Sequence, residues 1–247
     1  MMSDVASTDS PSLHVLVRHQ DVDGARLGAK VVVVIDVLFA TSTIVRVLGA
    51  GAGAVYPARD DDDARQEAAR RVGAVIAGEY LARTLPGWAP ATPLALSAQV
   101  REGSELVYST TNGTRAIAAC AGAVAVYAGA LTNAAALARH IAQAHPGVPV
   151  LLVCAGSLGR LCLGDFIGAG HVVRALRTCA GYAPSDAALA AELAALAAEP
   201  VAALSGSRVG RLLADAGLED EIADAGNRDC CEVVPVLRDG RMVRAAA

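Results

Sequence analysis

The chain has 247 residues, 54% of them hydrophobic and 19% charged, which is enough apolar material for a substantial α/β core and excludes a disordered polypeptide. Aromatic residues make up 3% and the formal net charge is −4, from 25 acids and 21 bases, so neither stacking platforms nor a basic stripe for nucleic acid is offered. Ala, Val and Leu must build the core, and a small anionic ligand is still admitted, because a few local donors outweigh a weak overall charge.

Residues 1–12 (MMSDVASTDSPS) are polar and lack a basic segment followed by an apolar run, so they read as a flexible tail before a single domain over residues 13–247. No apolar run approaches the ~20 residues that a bilayer span requires. The six cysteines form no CxxC pair, and with no secretory signal they predict a cytoplasmic protein with no membrane partner.

Continuous apolar runs predict buried strands at Val31–Val37, Ala74–Gly78, Glu105–Ser109, Ala123–Tyr127 and Val150–Cys154. Between them, Asp60–Val72 opens on acids and closes on arginines, as a helix dipole favours. Thr132–His145, Asp165–Cys179 and Ser185–Glu199 are the other long helices. Leu85–Leu94 holds three prolines and reads as a loop. From Gly206 onward short helices precede a last strand, Val233–Leu237, whose Pro235 predicts a sheet edge. The alternation reads as a three-layer αβα fold with a mostly parallel or mixed sheet.

Three carboxylates stand just past predicted strands. Asp36 ends VVVVI, Glu79 ends AVIAG, and Asp165 follows VLLVCAG after a short loop. In an α/β protein the C-terminal ends of strands are where ligand sites form, and three carboxylates meeting there suit octahedral Mg2+. Thr41 and Ser42, just past Asp36, offer a cap or further hydroxyl donors. The segment STTNGTR (109–115) couples the hydroxyls of Thr110, Thr111 and Thr114 to Asn112, Gly113 and a guanidinium, Arg115. Placed before a helix it is an anion cradle, and it is equally a capped helix after an Asn-Gly turn. Walker and GxSxG sequences are absent, and the five histidines show no metal-ligand spacing.

VVVVIDVLFATSTIV (31–45), IAGE (76–79), STTNGTRA (109–116), GALTNAAA (129–136) and VCAGSLGRLCLGDFIGAG (153–170), in this order, resemble the 2-phosphosulfolactate phosphatase (ComB) family over roughly residues 13–240. The resemblance implies a ComB-like fold and a Mg2+-dependent phosphatase that turns 2-phospho-3-sulfolactate into 3-sulfolactate, a step of coenzyme M biosynthesis in methanogens. It implies Asp36, Arg115 and Asp165 as catalytic groups and Asp36, Glu79 and Asp165 as metal ligands. Thr41, Ser42, Thr110–Thr114 and Asn133 would bind phosphate. The partner implied is a small anionic phosphoester, with a homodimer left open. Three departures stand out: Phe39 replaces the family's usual Arg, Gly164 a common Glu, and APATPL (89–94) a GNSP-like stretch. Phe39 and Gly164 favour an alternative, a catalytically impaired member that binds a small anionic metabolite or a protein partner.

Overall fold

Val31–Ile35, five β-branched residues all fully buried, form the strand around which one half of the sheet is assembled. The computed structural model describes residues 10–246, so the tail expected over residues 1–12 lies outside the described residues through residue 9. In chain order the first half of the protein contains β1 (Ser12–Leu16), β2 (Val31–Ile35), α1 (Ala40–Gly49), β3 (Ala54–Ala58), α2 (Asp61–Ala69), β4 (Val75–Tyr80), β5 (Arg83–Thr84), α3 (Pro93–Ser97), β6 (Glu105–Ser109) and α4 (Gly113–Ala119). The second contains β7 (Ala125–Gly129), α5 (Ala134–Ala144), β8 (Val150–Cys154), α6 (Leu163–Ala180), β9 (Ala183–Pro184), α7 (Asp186–Ala197), α8 (Pro200–Gly206), α9 (Arg208–Asp215), α10 (Glu219–Gly226), β10 (Pro235–Arg238) and β11 (Arg241–Arg244).

The sheet order is β5-β4-β6-β3-β11-β10-β7-β2-β8-β1-β9. Two parallel blocks, β4-β6-β3 and β7-β2-β8-β1-β9, flank an antiparallel hairpin. The hairpin meets each block through a single register pair, Val236 with Tyr127 and Met242 with Val55. Three successive antiparallel contacts make the blocks run in opposite directions. The sheet is therefore mixed, and its reversal is concentrated in one short element.

Local chemistry explains the element ends. Asp60 accepts the Asp63 N–H at 2.9 Å and caps α2. Gly181, with φ of 65°, ends α6 in the left-handed region. Asp239 and Gly240 have φ of 48° and 76°, the two left-handed positions of a type I′ hairpin turn between β10 and β11. Pro235 does not mark an edge, because β10 lies inside the sheet. The proline occupies the first position of the strand, where its missing N–H costs little.

Both faces of the sheet are covered. Ala54, Tyr56 and Ala58 of β3 pack into a small cluster with Ala64 of α2, whereas Val55 joins the main core on the other face. That main core runs through both blocks, from Val32 and Leu152 to Leu106 and Tyr108. The 89–94 stretch belongs to it: the carbonyl of Ala91 accepts the hydroxyls of Thr43 at 3.0 Å and Tyr108, tying α1 to β6. Glu221 of α10 is buried and accepts the N–H groups of Leu94 and Ala95 at 2.7 and 2.9 Å, closing the open end of α3. Glu221→Ala strands both donors and should lower stability by about 2 kcal/mol, read as a lower denaturant midpoint with unchanged m-value.

Candidate active site

Although the two blocks run in opposite directions, the C-terminal ends of their strands line one cleft. A flat sheet would have separated those ends, so the blocks turn towards each other across the hairpin. β2 supplies Asp36, β4 Glu79, β6 the loop with Thr111 and Asn112, β8 the loop from Gly156 to Cys162, and α6 Asp165. Val209 and Leu212 of α9 close the remaining wall, beside Arg208. This is the place where open α/β sheets build ligand sites.

Asp36 is the most constrained of these groups. Its backbone is fixed by Thr41, whose Oγ1 accepts the Asp36 N–H at 2.8 Å and donates to the Asp36 carbonyl at 3.0 Å. Gly113 of α4 approaches the carboxylate so closely that an added methyl would strike both Asp36 Oδ2 and Ala40 Cβ. Burial, then the fields of Asp165 and Glu79, push the Asp36 carboxyl well above the usual carboxylate range; the N–H groups of Ala40 and Gly113 offset only part of this.

Asp165 accepts the N–H of Val37 at 3.1 Å on one oxygen and that of Gly156 at 3.0 Å on the other, so one side chain braces the ends of β2 and β8. Burial pushes its carboxyl up to about 7, against the pull of those two N–H groups and the Cys162 thiol. Glu79 accepts the Thr111 N–H at 2.7 Å and the Ala82 N–H at 2.8 Å, and the Thr111 hydroxyl donates to it at 3.2 Å. The turn at Leu81 and Ala82 has φ of 50° and 64°, left-handed backbone without glycine. It is kept there by Glu79 and by Thr111 Oγ1, which accepts the Leu81 N–H at 3.2 Å. Strain of this kind, about 1–3 kcal/mol per residue, concentrates at binding sites.

Other residues singled out in the sequence lie elsewhere. The Ser42 hydroxyl donates to the Val37 carbonyl, and Thr41 is spent on Asp36, so neither faces the cleft. Thr110 and Thr114 cap each other: each N–H donates to the other's Oγ1 at 3.1 Å. Of the 110–115 segment, Thr111 and Asn112 line the cleft. Arg115 is exposed on the far side of α4, its Nε donating to the Arg59 carbonyl at 2.9 Å, because the helix turns that position outward. Asn133 is a brace, accepting from the Ala130 N–H and donating to the carbonyls of Ala128 and Val233. At the departures, Phe39 lies buried in the cleft wall, and a side chain on Gly164 would run into Leu204 of α8.

Two contributors carry no signal in the sequence. Ser157 sits in the loop after β8, and its hydroxyl accepts from Arg208, the only Lys, Arg or His lining the cleft among the described residues. Nothing but tertiary packing brings the start of α9 to that loop. Phe39, Leu81, Leu158 and Leu212 give the mouth an apolar wall.

The donor set is all oxygen. Among the described residues no three His, Cys, Asp or Glu side chains stand close enough to cage an ion together. Magnesium seldom needs such a cage, being held by one or two carboxylates with water and substrate oxygens. A buried carboxyl, Asp36, held up by the fields of two neighbouring carboxylates is chemically matched to a divalent cation, so the residues present fit Mg2+.

The chain matches the family model for 2-phosphosulpholactate phosphatase over residues 17–240. It is 31% identical to a protein of Carboxydothermus hydrogenoformans, over 87% of this chain and 90% of that one. Identity is 32% with a protein of Symbiobacterium thermophilum, over 88% and 95% of the two chains. A third, from Deinococcus radiodurans, is 34% identical over 88% and 91%. All three bear the name "Probable 2-phosphosulfolactate phosphatase". With a match that reaches from the end of β1 to the hairpin turn, this chain belongs to the 2-phosphosulpholactate phosphatase family.

Proposed function

We propose that the protein is a magnesium-dependent phosphomonoesterase that converts 2-phospho-3-sulfolactate to 3-sulfolactate and phosphate. The gathering of Asp36, Glu79 and Asp165 from widely separated strand ends into one buried cleft, in a chain of this family, carries the reading. One or two of these carboxylates, with water and substrate oxygens, would hold magnesium, which when bound supplies a Lewis acid that neutralises charge on the phosphoryl oxygens. Asp165, buried in the cleft beside Asp36, is placed to take a proton from the attacking water and return it to the leaving oxygen. The Asn112 amide orients the ester, and burial of the carboxylates keeps bulk water from screening them. The free thiols at Cys120, Cys154 and Cys162 support a reducing, cytoplasmic setting for this activity.

Phosphate release from 2-phospho-3-sulfolactate, followed with Mg2+ and again with EDTA, tests the proposal. Turnover should need the metal; equal rates in EDTA would remove magnesium from the reading, and no release under either condition would remove the activity. Arg115→Ala should stay within roughly threefold of wild type, as for a surface change away from a site.

A further inference from the structure

Arg208 is an exposed residue that lines the same cleft as the three carboxylates, yet among the described residues no carboxylate pairs with it. Its Nη2 donates to the Ser157 hydroxyl, and its other N–H groups have no partner among the described residues. Ser157 is itself buried, in a loop whose Gly156 N–H is fixed on Asp165, so the hydroxyl is a rigid anchor for the fork. The helix that carries Arg208 is set with equal firmness: Ser207 accepts the Gly210 N–H at 2.9 Å, and Gly210 lies against the Leu204 carbonyl where a methyl would collide.

Space continues past this residue. A second cavity shares Ser157, Cys162, Arg208 and Val209 with the cleft and reaches Arg211. A ligand that fills the cleft thus meets the carboxylates, the apolar side chains of Phe39, Leu81, Leu158 and Leu212, and the positive charge of Arg208.

We infer that Arg208 determines substrate specificity by binding a second anionic group, remote from the phosphate that is removed, while the apolar wall holds the carbon skeleton between them. The inference rests on the phosphatase reading above. A carboxylate and a sulfonate share the chemistry that a planar guanidinium fork recognises, and either would take up the N–H groups that Ser157 leaves over.

The test compares kcat/KM, with Mg2+, for phenyl phosphate, for the phosphate esters of lactate and of 2-hydroxyethanesulfonate, and for 2-phospho-3-sulfolactate. Wild type should prefer esters with a second anion. Arg208→Gln should lower the ratio of their kcat/KM to that of phenyl phosphate by about tenfold or more, chiefly through KM, and Arg208→Lys should restore part of it. A larger fall for the lactate ester assigns a carboxylate to Arg208, and a larger fall for the sulfonate ester assigns a sulfonate. An unchanged ratio in a folded Arg208→Gln protein, or a loss that falls equally on phenyl phosphate, overturns the inference while leaving the phosphatase reading in place. Failure of wild type to release phosphate from every ester would overturn both.

Discussion

Asp36→Asn should cut phosphate release on the order of 10³-fold and, in the same protein, flatten the dependence of stability on pH. Both effects come from the same crowding. Asp36 and Asp165 have folded pKa values raised by burial and, for Asp36, by the neighbouring carboxylates, whereas in the unfolded chain both ionise near the ordinary value of 3.8. A carboxyl raised on folding contributes stability that is fully present below the unfolded pKa and is lost as pH rises through the folded one, about 7 for Asp165. Metal-free wild type should therefore lose melting temperature at this site between about pH 4 and pH 7. Added Mg2+ at pH 8 should restore it if, as proposed, the folded cluster holds the cation and the unfolded chain does not. The half-buried His140, His145 and His171 have lowered pKa values and act with the opposite sign, but they are common to both proteins and cancel in the comparison. Calorimetry in EDTA from pH 5 to pH 8 reads the difference. Parallel curves for wild type and variant would mean that the carboxylates do not feel one another.

Gly113→Ala should be the most damaging change of a single methyl. The new Cβ would occupy space held by the Asp36 carboxylate and by Ala40, at the junction of α4 and α1, and neither neighbour is a flexible side-chain end. Overpacking of this kind costs about 1–3 kcal/mol, a fall in melting temperature on the order of 5 °C for a chain of this size. The loss of phosphate release should exceed what the stability change explains, since the displaced group is Asp36. Gly122→Ala is the control: its added methyl meets nothing within 4 Å, so it should melt with wild type. Equal behaviour of the two variants would show that the approach of Gly113 to Asp36 is not confining.

The central strands were readable because continuous apolar runs admit no other placement: Glu105–Ser109 and Val150–Cys154 stand where the pattern puts them. Other strands were not. β1 and β3 are short and interrupted by His14 and Pro57, and β11 is only Met242 and Val243 between two arginines, with no strand period to read. The Asp239-Gly240 pair was the available signal for the hairpin, and it would have corrected the edge position that Pro235 suggested. Within the cleft, Asp36, Glu79 and Asp165 were legible from their places after strands. Arg115 was not, because its position on α4 faces outward, and a motif spelled in one dimension does not say which of its hydroxyls are spent on each other. Arg208 and Ser157 lie 51 residues apart and meet only in the folded chain.

The β10–β11 hairpin has a consequence for how the protein is made. Every other strand precedes it in the chain, yet it is the seam between the two blocks that share the cleft. As the polypeptide leaves the ribosome, each block can gather its own helices, but the seam follows every other strand of the sheet. The continuous sheet that links the strand of Asp36 to that of Glu79 is therefore completed only once β10 and β11 have been made, on a core already tied across by Ala91 and Gly113.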